Sequence, residues 1–175
     1  MTQHVFEMAA SGRSKCRSCG QQISKDTLRF GEKLPNPFGD GDMTHWHHPA
    51  CAAHRRPEPL TEALNEAEYT ENDKHQLLET ARHTLAYHRL QRLGQAEQAS
   101  SGRARCRHCK ELIDKDSWRL PLIFFQDDAY NTSGFIHAGC VRDYCGTPEI
   151  WPTVAQFAAD IDETDTSSLR EALSG

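Results

Sequence analysis

The sequence predicts an α+β protein built as two tandem small modules, each a short antiparallel sheet followed by helices. Three observations predict it. A CxxC…HxxC pattern occurs twice, as Cys16 and Cys19 with His48 and Cys51, then as Cys106 and Cys109 with His137 and Cys140. Residues 11–29 and 101–119 share Ser, Gly, Arg, Cys, Arg, Cys, Ile, Lys, Asp and Arg in register, which marks a duplicated unit. Each copy encloses short apolar runs with turn residues between them, and each leads into a proline-punctuated stretch of helical periodicity.

Three soft thiolates and one imidazole complete a closed tetrahedral shell for Zn²⁺, and a CxxC knuckle with an HxxC pair is how one chain supplies them. The spacer between the pairs is 28 residues in the first copy and 27 in the second. His47 and His48 are adjacent, but only His48 matches His137 in its spacing to the last cysteine. Two Zn²⁺ per chain are therefore expected, held by Cys16, Cys19, His48 and Cys51 and by Cys106, Cys109, His137 and Cys140. The alternative is that these cysteines are reduced core residues. Four protein ligands leave no position for an activated water, and the sequence has no phosphate-binding glycine loop, HExxH, HxE or nucleophile–base set. An enzyme is not expected, and nearly the whole chain is taken up by the repeat.

In chain order, His4 to Ala10 alternate weakly and read as an edge strand entering the first knuckle. Asp26 to Leu34 reads as a second strand and Asp42 to His47 as the strand returning to the metal, with a turn-rich loop from Pro35 to Gly41 carrying Phe38. After Cys51, Pro57 and Pro59 interrupt the chain; helical patterns follow over Leu60–Glu68 and then, capped by Thr70 and Asp73, to near Gly94. The apolar stripe of that second helix suits packing on its own module, or a partner. Its His75, His83 and His88 lack metal-ligand spacing. Gln95 to Ser100 enters the second module, Trp118 to Phe125 forms a more apolar strand, and Gln126 to Gly134 reads as a loop holding Tyr130. Pro148 and Pro152 precede helical stretches near Thr153–Ile161 and Ser167–Leu173, so the expected domains are 1–94 and 95–175. Cys145 is left over and reads as structural.

Modules of about 85–90 residues are small for a self-sufficient core, and structural zinc would supply folding energy directly. Seven cysteines without a basic, apolar leader predict a reducing intracellular setting, and no apolar run approaches the roughly 20 residues that span a bilayer. The net charge is −5, but it is unevenly spread. Residues 11–56 carry eight Lys/Arg against four Asp/Glu and residues 100–147 seven against six, while 57–99 and 148–175 are acidic. A basic face on an acidic body suits DNA binding with ready release, an ordinary solvated surface being the other reading.

The motifs around both knuckles resemble the zinc finger of poly(ADP-ribose) polymerases, shared with one eukaryotic DNA ligase. They are Ser11-Gly12-Arg13, Ile23-Ser24-Lys25-Asp26-Thr27-Leu28-Arg29 and His45-Trp46-His47-His48-Pro49-Ala50-Cys51 in the first copy. In the second they are Ser101-Gly102-Arg103, Ile113-Asp114-Lys115-Asp116-Ser117-Trp118-Arg119 and Phe135-Ile136-His137-Ala138-Gly139-Cys140. The resemblance implies a small α+β finger that recognises DNA strand breaks, in whichever compartment holds the DNA.

Arg13 and Arg103 sit three residues before the first ligand, where metal would hold the backbone, and Lys15, Arg17, Arg105 and Arg107 add charge around each knuckle. Such residues would grip phosphate without reading sequence. Arg29 and Arg119 resemble the DNA-contacting arginine of the family. Its apolar stacking position five residues before the ligand histidine falls on Met43; its aromatic position falls on Gly39 by count, with Phe38 one place earlier, and core packing is the other role open to Phe38. In the second copy Thr132 matches Met43, and Tyr130 is the nearest stacking candidate. Trp46 and Phe135 are expected to cover the metal. The expected partner is DNA carrying nicks, gaps or ends, bound by a monomer. The reading from another class is a zinc-stabilised adaptor that recruits a protein through its helices or acidic tail.

Overall fold

The computed structural model describes residues 3–158 and 160–175. The chain divides into two compact units, one ending at Ala86 and the other beginning at Tyr87. Each holds a three-stranded antiparallel sheet followed by helices.

In the first unit β1 (Val5–Met8), β2 (Leu28–Pro35) and β3 (Asp42–His47) lie in sequence order, with Phe6 opposite Phe30 and Phe30 opposite His47. The chain then enters α1 (Pro49–Arg55), α2 (Pro57–Glu66) and α3 (Lys74–Ala86). Proline stands at the first position of both α1 and α2, where its missing N–H has no intrahelical acceptor to lose, so Pro57 starts a helix rather than breaking one. Phe30, Ala52, Ala53, Leu60, Ala63, Leu64 and Leu77 form the core, with Phe6, Tyr69 and Leu78 packed on it. Burying Phe30 or Leu64 contributes about 1.5–3 kcal/mol. Gly31 is dictated by packing: a Cβ there would lie 2.7 Å from the Trp46 ring and 2.9 Å from Val5.

The helix expected to reach Gly94 ends at Ala86. Tyr87 leaves helical geometry, His88–Arg92 form a 3₁₀ turn, and Leu90 and Leu93 are buried in the core of the second unit. The apolar residues that extended the helical pattern are thus claimed by another core.

In the second unit β4 (Glu97–Gln98), β5 (Trp118–Gln126) and β6 (Ala129–His137) form the sheet. The stretch expected to be a loop from Gln126 to Gly134 is mostly strand. Gln126 pairs with Ala129 across a two-residue turn, Asp127 and Asp128, at φ 52° and 60°. Positive φ at both central residues is the hairpin geometry that Asp tolerates. A 3₁₀ turn (Ala138–Cys140), α4 (Val141–Cys145), α5 (Trp151–Gln156) and α6 (Glu163–Ser174) complete the unit, the last capped by the Asp162 carboxylate, which accepts from the Asp165 N–H at 2.8 Å. Leu120, Leu122, Ile136, Val141, Ile150, Val154, Leu169 and Leu173 are buried together in its core. No helix among the described residues is long and apolar enough to cross a membrane.

Candidate metal centres and nucleic-acid interface

Each knuckle is built by backbone before chemistry. The Cys16 N–H donates to Gln21 O and the Gly20 N–H to Cys16 O, both at 2.8 Å, and Cys106 and Lys110 repeat this at 2.8 and 3.0 Å. Gly20 and Lys110 carry the left-handed turn at φ 76° and 70°. Asp26 and Asp116, retained in both copies, occupy a second left-handed position, at φ 64° and 66°, where their N–H groups donate to Ala9 O and Ala99 O. That shared aspartate serves the backbone.

Both expected ligand sets converge. Cys16, Cys19, His48 and Cys51 place one ligand atom each within 4.8 Å of the others, and so do Cys106, Cys109, His137 and Cys140. His48 Nδ1 lies 3.5 Å from Cys19 Sγ and 3.8 Å from Cys51 Sγ; His137 Nδ1 lies 3.4 and 3.9 Å from Cys109 and Cys140. A tetrahedral ion with ordinary Zn–S and Zn–N bonds sets such edges at about 3.6 Å, so the residues fit zinc. The His48 and His137 N–H groups donate to Cys16 and Cys106 Sγ at 3.3 and 3.4 Å, contacts that favour thiolate. His137 Nε2 meets the Leu112 carbonyl at 3.0 Å. A carbonyl only accepts, so Nε2 carries the proton and Nδ1 presents its lone pair to the cluster.

Electrostatics agree with that chemistry. Hydrogen bonds from Cys19 and Cys51 push the Cys16 thiol down, and contacts with Cys16 and Cys19 push Cys51 up. Burial would raise Cys106, but backbone N–H groups of Cys109, His137 and His108 outweigh it and bring the thiol to about 6. Cys145 is pushed up to about 12 by burial and lies outside both clusters.

His47 is wholly buried and does different work. Ser18 Oγ lies 2.8 Å from its Nδ1, and the Glu32 carboxylate lies 3.6 Å from its Nε2. Arg56 closes the network on Glu32 through Nε, at 3.0 and 2.8 Å from the two oxygens, and through Nη2. Counted from the ligands and matched by strand register, Glu32, His47 and Arg56 correspond to Leu122, Ile136 and Cys145. The leftover cysteine therefore has a counterpart, Arg56, and it belongs to an apolar version of the same site.

Arg29 and Arg119, expected at phosphate, are engaged within their own modules. Arg29 lies 3.6 Å above the Trp46 ring and donates to Ser14 Oγ at 2.7 Å and Glu7 Oε1 at 2.5 Å. Arg119 lies 3.7 Å above Phe135 and donates to Glu97 through Nε at 2.9 Å, with Nη2 at 2.8 Å. Trp46 and Phe135 are platforms for these guanidinium groups. The clamp was visible in the repeat: Glu7 and Glu97 are offset by the same 90 residues as the two arginines.

Arg13, Lys15, Arg17, Arg103, Arg105 and Arg107 are exposed. Arg105 donates to Lys110 O at 3.3 Å and Arg107 to Ser133 O at 2.7 Å, which holds Arg107 against the second hairpin. Phe38 is 95% exposed at the tip of the β2–β3 hairpin, which excludes core packing as its role. Its N–H donates to Asn36 Oδ1 at 3.0 Å, while the Asn36 N–H closes the loop on Gly41 O at 3.0 Å. Met43 is half-buried, opposite Leu34. Tyr130 is half-buried on β6, its ring 5.1 Å from that of Phe125 across the ladder, so it does not form the hairpin tip expected of it.

Residues 7–84 match the family model described as the poly(ADP-ribose) polymerase and DNA-ligase Zn-finger region. The chain is 47% identical over 45 residues to poly [ADP-ribose] polymerase 1 of Gallus gallus, covering 26% of this chain and 4% of that protein. It is 28% identical over 131 residues to poly [ADP-ribose] polymerase of Drosophila melanogaster (67% and 13%) and 27% identical over 153 residues to poly [ADP-ribose] polymerase 1 of Danio rerio (74% and 15%). The last two matches cover more of the chain than either unit holds, yet the chain spans at most 15% of the length of these three relatives. The first module thus matches the Zn-finger region of poly(ADP-ribose) polymerases and DNA ligases over nearly its whole length, and the second repeats its fold and its Cys₃His ligand set.

Proposed function

We propose that the chain is a zinc-dependent DNA-binding protein that recognises strand breaks through backbone phosphates and an exposed base face. The observation that carries this reading is Phe38, 95% exposed on a loop braced by Asn36 and anchored by a strand that ends one residue before the ligand His48. A terminal or nicked base pair exposes an apolar face and a bendable backbone, whereas a continuous duplex buries that face. A braced loop with an aromatic tip and a half-buried Met43 behind it detects the difference by stacking. Arg13, Lys15 and Arg17, with Arg103, Arg105 and Arg107, supply the phosphate contacts. Arg29 and Arg119 act as positioning residues that tie β1 or β4 to the strand bearing the ring. Zinc, when bound, holds each knuckle's backbone rigid beneath its basic side chains.

The test is a titration of the zinc-loaded chain against nicked and continuous duplexes of one sequence. Preferential binding of the nicked duplex, insensitive to sequence, is expected. Equal affinity for both would sink the reading.

A further inference from the structure

We infer that break reading belongs to the first module alone, and that the Asp127–Asp128 turn is an exclusion element that keeps the second hairpin off DNA. This rests on the break-binding reading above. The two hairpins occupy the same place in the fold. Pro35 opposite Asp42 marks the last ladder pair of the first, leaving residues 36–41 as a six-residue loop. Phe125 opposite Tyr130 marks the same rung of the second, three pairs past Leu122 as Pro35 is three pairs past Glu32, but there the ladder continues through Gln126–Ala129 to a two-residue turn. The loop of the second is two residues shorter between those rungs, so Phe38 falls on Asp128 counted forward along the first strand and on Asp127 counted back from the ligand histidine.

Three properties reverse together. The tip residue changes from an aromatic to a carboxylate. The loop zips into a tight turn with positive φ at both positions, a shape that cannot spread over a base pair. The aromatic Tyr130 is turned into the ladder, its ring 5.1 Å from Phe125. A carboxylate pair at the tip repels phosphate and offers no face to stack on, so this hairpin neither competes for the break nor adds to duplex affinity. The basic knuckle residues of the second module stay available to hold the flanking backbone.

The full-length, zinc-loaded chain is titrated against nicked and continuous duplexes, with zinc content checked in each variant. Phe38→Ala should lower the nicked-over-continuous ratio by roughly fivefold to 150-fold, the worth of one stacked base. Asp127→Asn with Asp128→Asn keeps a left-handed turn that Asn also accepts. This pair should tighten binding to both duplexes by roughly two- to tenfold at low salt, with the ratio unchanged. Tyr130→Ala should leave the ratio unchanged. A ratio that falls in Tyr130→Ala or in the Asn pair overturns the division between modules, as does an Asn pair that tightens neither duplex. A wild-type chain without preference removes the break reading itself and this inference with it, a result distinct from those.

Discussion

Arg56 grips the Glu32 carboxylate inside the first module, where Glu32 is only 1% exposed, and the second module fills the matching positions with Cys145 and Leu122. One fold therefore tolerates both a charged and an apolar filling. Removing one member of a buried pair strands the other, so Glu32→Gln should destabilise the first module by about 3–5 kcal/mol. The triple replacement Glu32→Leu, His47→Ile and Arg56→Cys should cost far less, because it copies a solution that the chain already uses. Hydrogen exchange of segments 28–66 in the zinc-loaded protein measures both.

Elemental analysis should find two zinc ions per chain, with Cys140→Ser retaining one and Cys145→Ser retaining both. Chelation should abolish protection of the knuckle amides in both modules. A Cys145→Ser protein short of one zinc would show the ligand sets to be wrong.

Salt dependence separates the exposed arginines from the clamped ones. Arg13→Ala and Arg103→Ala should each reduce the slope of log K against log salt by roughly one unit. Arg29→Ala should leave the slope near its wild-type value while loosening β1, at a cost of about 1–2 kcal/mol from the lost contact with Trp46. Titrations at four or more salt concentrations, with thermal melts alongside, distinguish the two outcomes.

His54 makes the first module sensitive to mild acid. Burial, followed by the charges of Arg55 and His83, lowers its pKa from 6.5 to about 4. A depressed histidine binds its proton more readily when unfolded, so stability is full above about pH 6.5 and declines as pH falls toward 4, by up to about 3 kcal/mol. Between pH 7.5 and 5.5, with zinc in excess, His54→Gln should flatten the pH dependence of the urea midpoint. An unchanged dependence would place the acid sensitivity elsewhere.

What the sequence discloses here depends on how far a residue's partner lies. Both Cys₃His sets and the choice of His48 over His47 were readable, because a duplication displays its own register and zinc demands fixed donors. β1, β2, β3 and β5 were readable to within two residues, β3 most closely, whereas β4 and β6 were not read as strands. Local periodicity misplaced the end of α3, since it cannot say which core takes Leu90. The turn at Asp127–Asp128 was missed because two aspartates read equally well as loop, and only the pairing of Phe125 with Tyr130 makes them a hairpin. Arg29 was placed at phosphate by family likeness, whereas its partners Glu7 and Ser14 lie 22 and 15 residues away in sequence. The buried Glu32–His47–Arg56 network gave no local sign, as each residue alone reads as surface or ligand neighbour.

A phenylalanine held 95% in water has a consequence for the chain before it meets any ligand. Phe38 sits at the end of a two-stranded ribbon, where an apolar side chain invites edge-to-edge pairing between copies. Its immediate surroundings oppose that: Pro35 and Pro37 remove backbone donors on one side, and Asp40 and Asp42 place like charges on the other. The residues that flank the braced tip are thus gatekeepers of solubility. Replacing the two aspartates with neutral residues would turn this exposed loop into a point of self-association.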